Sequence, residues 1–186
     1  MDPTRTALNN DQDTTDYKQI SCIKARKVGH AFVYTYGNTS IVIGPDYQGI
    51  FASFTMFSLV YILAMRCIVV SPINFVSKTV HIVLTTLLVA ISIYLYSVCA
   101  FIDPGFLTSD FDFPSDAKLG YYCFECNLSK SRDYTHCYDC DRCILSKENH
   151  CGWVGKCIGA RTSVYFKWFK MCTGAGLFVV LYLFSL

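Results

Sequence analysis

The sequence predicts an all-α multi-pass membrane fold carrying one small cysteine-rich module, and three observations predict it. Apolar residues make up 53% of the 186, with a positive mean hydropathy. Three long runs are free or nearly free of charge, and seven of the eleven cysteines fall between Cys123 and Cys157. The net charge of +2 is small and the basic residues are scattered, which argues against a nucleic-acid partner.

Residues 1–46 form an N-terminal arm. Its first part, to Gly29, is polar and mixed in charge, with nothing to bury. Two β-leaning runs, Ala31–Tyr36 and Thr39–Ile43, flank Gly37-Asn38 and fit either a short hairpin or an interfacial lead-in. Residues 47–70 are the first span, long enough for a hydrocarbon core of ~30 Å. Arg66 lies close enough to its end to reach the headgroups. Residues 71–78, with Pro72, make the turn back, and residues 79–102 are the second span, with His81 at its entrance as an interfacial imidazole. A polar section, residues 103–167, separates this from a third span at 168–186. The uncharged part of that last run is short, about 24 Å at ~1.5 Å per residue, so a crossing draws on residues 166–170 with the lysines snorkelling.

Lys and Arg set the orientation. The arm holds five and residues 103–170 hold nine, against Lys78 and Arg66 near the first turn. The positive-inside rule therefore puts both polar parts in the cytosol, and two intervening spans agree with it. The first twenty residues contain no apolar stretch of the signal-peptide kind, so the cysteines are expected to be reduced.

Within the module the pattern C-x2-C-x9-H-x6-C occurs twice. One copy is Cys123, Cys126, His136 and Cys143; the other is Cys137, Cys140, His150 and Cys157, each fourteen residues after its counterpart. Three thiolates and one imidazole make a closed tetrahedral site, so the spacing predicts two structural Zn2+ ions standing in for a hydrophobic core. A disulfide framework is the alternative, and a reducing compartment disfavours it. Nine candidate ligands for eight positions leave Cys151, next to His150. A further step of fourteen from Cys137 reaches Cys151, but Val154, Val164 and Met171 then fall where ligands would be needed. Cys151 is either a positioned nucleophile or a packed, inert thiol.

Residues 123–166 resemble the cysteine-rich domain of the DHHC protein palmitoyltransferases. The likeness runs through all eight ligand positions and Cys151, then Trp153-Val154-Gly155, Cys157-Ile158-Gly159 and Tyr165-Phe166. Asp103-Pro104-Gly105 resembles the family's DPG motif. The resemblance implies a protein S-acyltransferase in an endoplasmic reticulum or Golgi membrane, its zinc module facing the cytosol. Palmitoyl-CoA is then the acyl donor, Cys151 the nucleophile, and the acceptors are cytosolic cysteines of membrane-associated proteins. An acyl chain, costing ~0.8 kcal/mol per CH2 to hold in water, is expected to rest among the spans.

The family's Asp-His-His-Cys reads Glu148-Asn149-His150-Cys151 here. Asn149 replaces the family's general base, and an amide cannot take a thiol proton near neutral pH. Glu148 is the candidate substitute. Gly152, Lys156 and Thr162 stand where the family has Pro, Asn and Asn, and the family has a fourth span and a TTxE tail beyond the three runs seen here. Two further readings follow: a catalytically weak or silent relative that binds partners, and a zinc finger for nucleic acid or ubiquitin machinery. The last explains neither the spans nor Cys151.

Overall fold

The computed structural model describes residues 24–36, 39–108 and 120–184. Three long helices supply the membrane part. Helix α1 is Tyr47–Val70, α2 is Phe75–Phe101 and α3 is Ser163–Phe184. Each has the length and hydropathy to cross a bilayer, and most of their side chains face outward rather than into protein. Helix α3 opens at Ser163, so its first turns hold Lys167 and Lys170 and the short uncharged run becomes a span of 20 residues. Between α1 and α2 the turn is tight. The Asn74 side chain caps α2 by accepting from the Ser77 amide at 2.8 Å, and Lys78 Nζ folds back onto the Val69 carbonyl at 2.8 Å.

The all-α expectation is corrected by nine short strands among the described residues. β1 (Lys24–Val28), β2 (Ala31–Tyr36) and β3 (Thr39–Ile43) form an antiparallel sheet in that order, so the hairpin reading of residues 31–43 is what the chain adopts, with one strand added before it. The polar look of Lys24–Val28 misled because only Val28 is buried there. Gly37-Asn38, Cys22 and the arm before Lys24 lie outside the described residues.

Three more hairpins make up the module: β4 (Tyr121–Cys123) with β5 (Leu128–Lys130), β6 (Tyr134–Cys137) with β7 (Arg142–Leu145), and β8 (Asn149–Cys151) with β9 (Lys156–Ile158). Each turn ends on one residue with positive φ: Asn127 at 54°, Asp141 at 50° and Gly155 at 83°. These positions are fourteen apart, so the sequence repeat is a repeat of knuckle geometry, with Asn, Asp and Gly where a left-handed residue is needed. Strands this short bury little. The interior between the three-stranded sheet and the module is Val28, Ala31, Val42, Phe106 and Ile144 packed on ligand-position cysteines.

Candidate functional site

The interleaving of the two patterns follows from the hairpins. The β4–β5 turn supplies Cys123 and Cys126, and the first site is completed by His136 and Cys143, which are direct cross-strand partners in β6–β7. The β6–β7 turn supplies Cys137 and Cys140, and the second site is completed by His150 and Cys157, cross-strand partners in β8–β9. The middle hairpin serves both sites because successive strand residues point to opposite faces: His136 turns to one, Cys137 to the other.

Each quartet closes on a point. In the first, His136 Nδ1 lies 3.6 Å from Cys123 Sγ and 3.2 Å from Cys126 Sγ, and Cys126 Sγ is 3.7 Å from Cys143 Sγ. In the second, His150 Nδ1 lies 3.6, 3.4 and 3.5 Å from Cys137, Cys140 and Cys157, and Cys140 Sγ is 3.8 Å from Cys157 Sγ. A tetrahedral ion bound at ~2.3 Å to sulfur and ~2.0 Å to nitrogen requires donor edges of ~3.5–3.8 Å, so each quartet fits a metal ion of its own. The ten described cysteines are all free thiols.

Crowded donors also share protons unequally. In the second quartet the hydrogen bond between Cys140 and Cys157 draws the Cys140 thiol down to about 6, and Cys157 is pushed up in return. Burial alone would lower the His150 imidazole, but Asp46 and the Cys140 thiolate carry it up to about 9. A cluster that gathers negative charge around one point is suited to a cation.

The same alternation that sends His150 to the metal quartet sends Cys151 the other way. Cys151 is half-buried and packs against an apolar cluster that includes Ile50 of α1 and Tyr96 and Cys99 of α2, against which Phe54 and Phe57 of α1 and Phe166 and Phe169 of α3 also pack. It therefore stands at the ends of all three apolar helices. One turn further along α1 and α2 from this cluster, a cavity of about 310 Å³ opens between the helices, lined by Met56, Phe57, Val60, Leu88, Gly176 and neighbouring apolar residues, with Thr85 and Ser92 among them.

Four side chains that hold this arrangement were not singled out from the sequence as doing so. The Trp153 carbonyl, in the turn after Cys151, accepts from Tyr96 at 2.8 Å and Ser53 at 3.2 Å, so α2 and α1 grip the Cys151 turn together. Lys156, cross-strand from Cys151, is fully buried, and its Nζ donates to the Ile102 carbonyl at 2.7 Å and the Val42 carbonyl at 3.1 Å, tying β9 to the end of α2 and to β3. Burial pushes its ammonium down to about 7. Asp46 Oδ2 lies 2.7 Å from His150 Nε2. No periodicity marks such residues; only a departure at position 156 hinted at one.

Glu148 is turned toward α3. Its Oε1 accepts from Ser163 Oγ at 2.5 Å and lies 3.1 Å from Lys167 Nζ, and these contacts hold its carboxyl below the usual range. That makes it a weak base and a good clamp. Asn149 is exposed, its amide donating at 3.4 Å to the His150 carbonyl. Asp103 closes the turn after α2, accepting from the amides of Gly105 and Phe106 at 3.0 and 2.9 Å while pairing with Arg161 at 2.8 Å.

Three helices of membrane-spanning length carry at their ends a module with two Cys/His quartets able to hold a metal ion each, and Cys151 stands outside both. Residues 117–186 match the family described as DHHC palmitoyltransferase. It is 35% identical over 65 residues to protein S-acyltransferase 10 of Arabidopsis thaliana, covering 35% of this chain and 19% of the relative. Against palmitoyltransferase ZDHHC9 of Danio rerio the identity is 38% over 50 residues, 27% of this chain and 13% of the relative. Against palmitoyltransferase ERF2 of Eremothecium gossypii it is 44% over 45 residues, 24% and 12%. The matched segments thus span a fifth or less of these relatives' lengths.

Proposed function

We propose that the chain is a protein S-acyltransferase that moves a fatty acyl group, palmitoyl in the first instance, from acyl-CoA to cysteines of membrane-associated proteins through an acyl-Cys151 intermediate. The observation that carries this reading is the position of Cys151: outside both donor quartets, packed among the ends of three apolar helices, with an apolar cavity beginning one turn away. The acyl chain lies in that cavity with its thioester at the module. Cys151 gives up its thiol proton and its sulfur bonds to the thioester carbonyl carbon; the coenzyme sulfur leaves with the electron pair and is protonated. An acceptor thiol then repeats the exchange on the Cys151 thioester, and Cys151 is restored.

Two Zn2+ ions complete the module, one held by Cys123, Cys126, His136 and Cys143 and one by Cys137, Cys140, His150 and Cys157. Three soft thiolates with one imidazole favour zinc over the hard cations, and a saturated donor set makes each ion structural. The module faces the cytosol of an endoplasmic reticulum or Golgi membrane, in keeping with the lysine and arginine distribution and the reduced thiols.

Proton removal from Cys151 is the slow part. Asn149 offers no basic lone pair and Glu148 is engaged by Ser163 and Lys167. Loss of a positioned base costs ~10² to 10⁴ in rate, and this favours, as the second reading, a relative that binds acyl chains or acceptors with little turnover. Purified protein incubated with labelled palmitoyl-CoA is expected to acquire a hydroxylamine-sensitive adduct that Cys151→Ser abolishes. An adduct that persists in Cys151→Ser, or none at all even in Asn149→His, refutes the transferase reading.

A further inference from the structure

The two donor quartets are built alike, but their histidines are held differently. His136 presents Nδ1 to the first quartet; its Nε2 is buried and has no hydrogen-bond partner among the described residues, and the ring meets the Tyr138 ring edge-on at 4.9 Å. His150 presents Nδ1 to the second quartet while its Nε2 lies 2.7 Å from Asp46 Oδ2. Asp139, the other nearby carboxylate, lies on the metal-facing side of the ring, 3.9 Å from Nδ1, and is exposed, so it does not duplicate the contact.

Asp46 is placed for this contact at the expense of an ordinary one. It stands at the N-cap of α1, where an aspartate normally accepts from the helix amides, yet its side chain makes no capping bond. Its backbone is seated against the Cys151 turn instead: the Asp46 amide donates to the Gly155 carbonyl at 3.2 Å. The flanking Gly44 and Gly49 lie so close to the Gly155 and Gly152 carbonyls that a Cβ would fall within 2.0 and 1.8 Å of them. Carboxylate partners of this kind fix the imidazole tautomer, raise its basicity and are worth about 10–100-fold in metal affinity.

We infer that Asp46 is a positioning residue of the second metal site, which makes that site the tighter of the two and leaves the first as the exchangeable one. The inference rests on the zinc reading of the quartets. It gives the asymmetry a purpose: the site that carries the Cys151 strand is locked to the start of a membrane helix, whereas the first site sits away from the reacting thiol.

The test uses the full chain in detergent, loaded with zinc and mixed with excess chromophoric chelator. Wild type is expected to release zinc in two phases of equal amplitude. Asp46→Ala should speed the slow phase by about 10–100-fold and leave the fast phase alone. Asp46→Asn, which keeps an acceptor oxygen and the same shape, should fall between them and controls for folding. Cys126→Ser, which breaks the first quartet, should remove the fast phase and keep the sensitivity to Asp46. Slow-phase release unchanged in both Asp46 variants, or acceleration confined to the fast phase, overturns the inference while two bound ions leave the zinc reading standing. Fewer than two zinc ions on the wild-type chain overturns both.

Discussion

The grip on the Trp153 carbonyl yields a sharp prediction. Two hydroxyls from different helices, Tyr96 at 2.8 Å and Ser53 at 3.2 Å, donate to one acceptor in the turn that carries Cys151. Both donor residues are buried, Tyr96 at 1% and Ser53 at 3% exposure, so water has little room on the side a lost donor leaves. Removing either hydroxyl alone, by Tyr96→Phe or Ser53→Ala, leaves the carbonyl satisfied by the other, and the cost is that of one net hydrogen bond, ~1 kcal/mol. Removing both leaves a part-buried carbonyl with neither donor, which adds a desolvation cost, so the double variant should lose up to ~1 kcal/mol more than the sum of the singles. For a chain of this size that coupling is worth a melting shift of roughly 2–4 °C beyond additivity. Thermal melts of the four proteins in one detergent, with labelled-acyl uptake measured in parallel, close the cycle. Strict additivity, within ~0.3 kcal/mol, would refute the claim that the hydroxyls share one acceptor.

Other expectations follow from single positions. Gly49→Ala puts a Cβ 1.8 Å from the backbone Gly152 oxygen, so α1 must lift from the Cys151 turn, lowering the melting temperature sharply, whereas Gly174→Ala meets nothing within 4 Å and should be neutral or slightly stabilising. Lys156 is depressed to about 7 when folded against its ordinary 10.5. Between those values the unfolded chain binds the proton that the folded chain lacks, so stability should rise with pH across that window and the rise should vanish in Lys156→Met, as read by melting at stepped pH. Chelation of both metals should dissolve the hairpins of the module before the helices, seen as loss of strand and near-ultraviolet circular dichroism with helical signal retained. Asn149→His should raise the rate of Cys151 adduct formation by ~10²-fold or more, measured in single-turnover labelling.

Why some of this was legible in the sequence and some was not comes down to the range of the interaction. Apolar runs of bilayer length declare helices by composition, because backbone groups in hydrocarbon must be satisfied within their own segment. Metal ligands declare themselves by spacing, since C-x2-C is one turn and a cation admits few donor types. The fourteen-residue repeat therefore gave the two quartets and left Cys151 over, residue by residue. The three-stranded sheet was harder to read: Lys24–Val28 buries one side chain, so its strand character comes from pairing with Ala31–Tyr36 rather than from its own pattern.

The sequence by itself determined three membrane-length helices, the candidate donors of two metal sites, and the one cysteine of the module left outside them, because each is a local property of composition or spacing. Only the tertiary structure decided where that thiol faces and what holds it there. Asp46 reaches His150 across 104 positions, Tyr96 reaches Trp153 across 57, and Lys156 reaches Val42 across 114. Contacts of that range leave no period in the chain, since they exist only once strand alternation has turned Cys151 away from the donor quartets and the helices have closed beneath it.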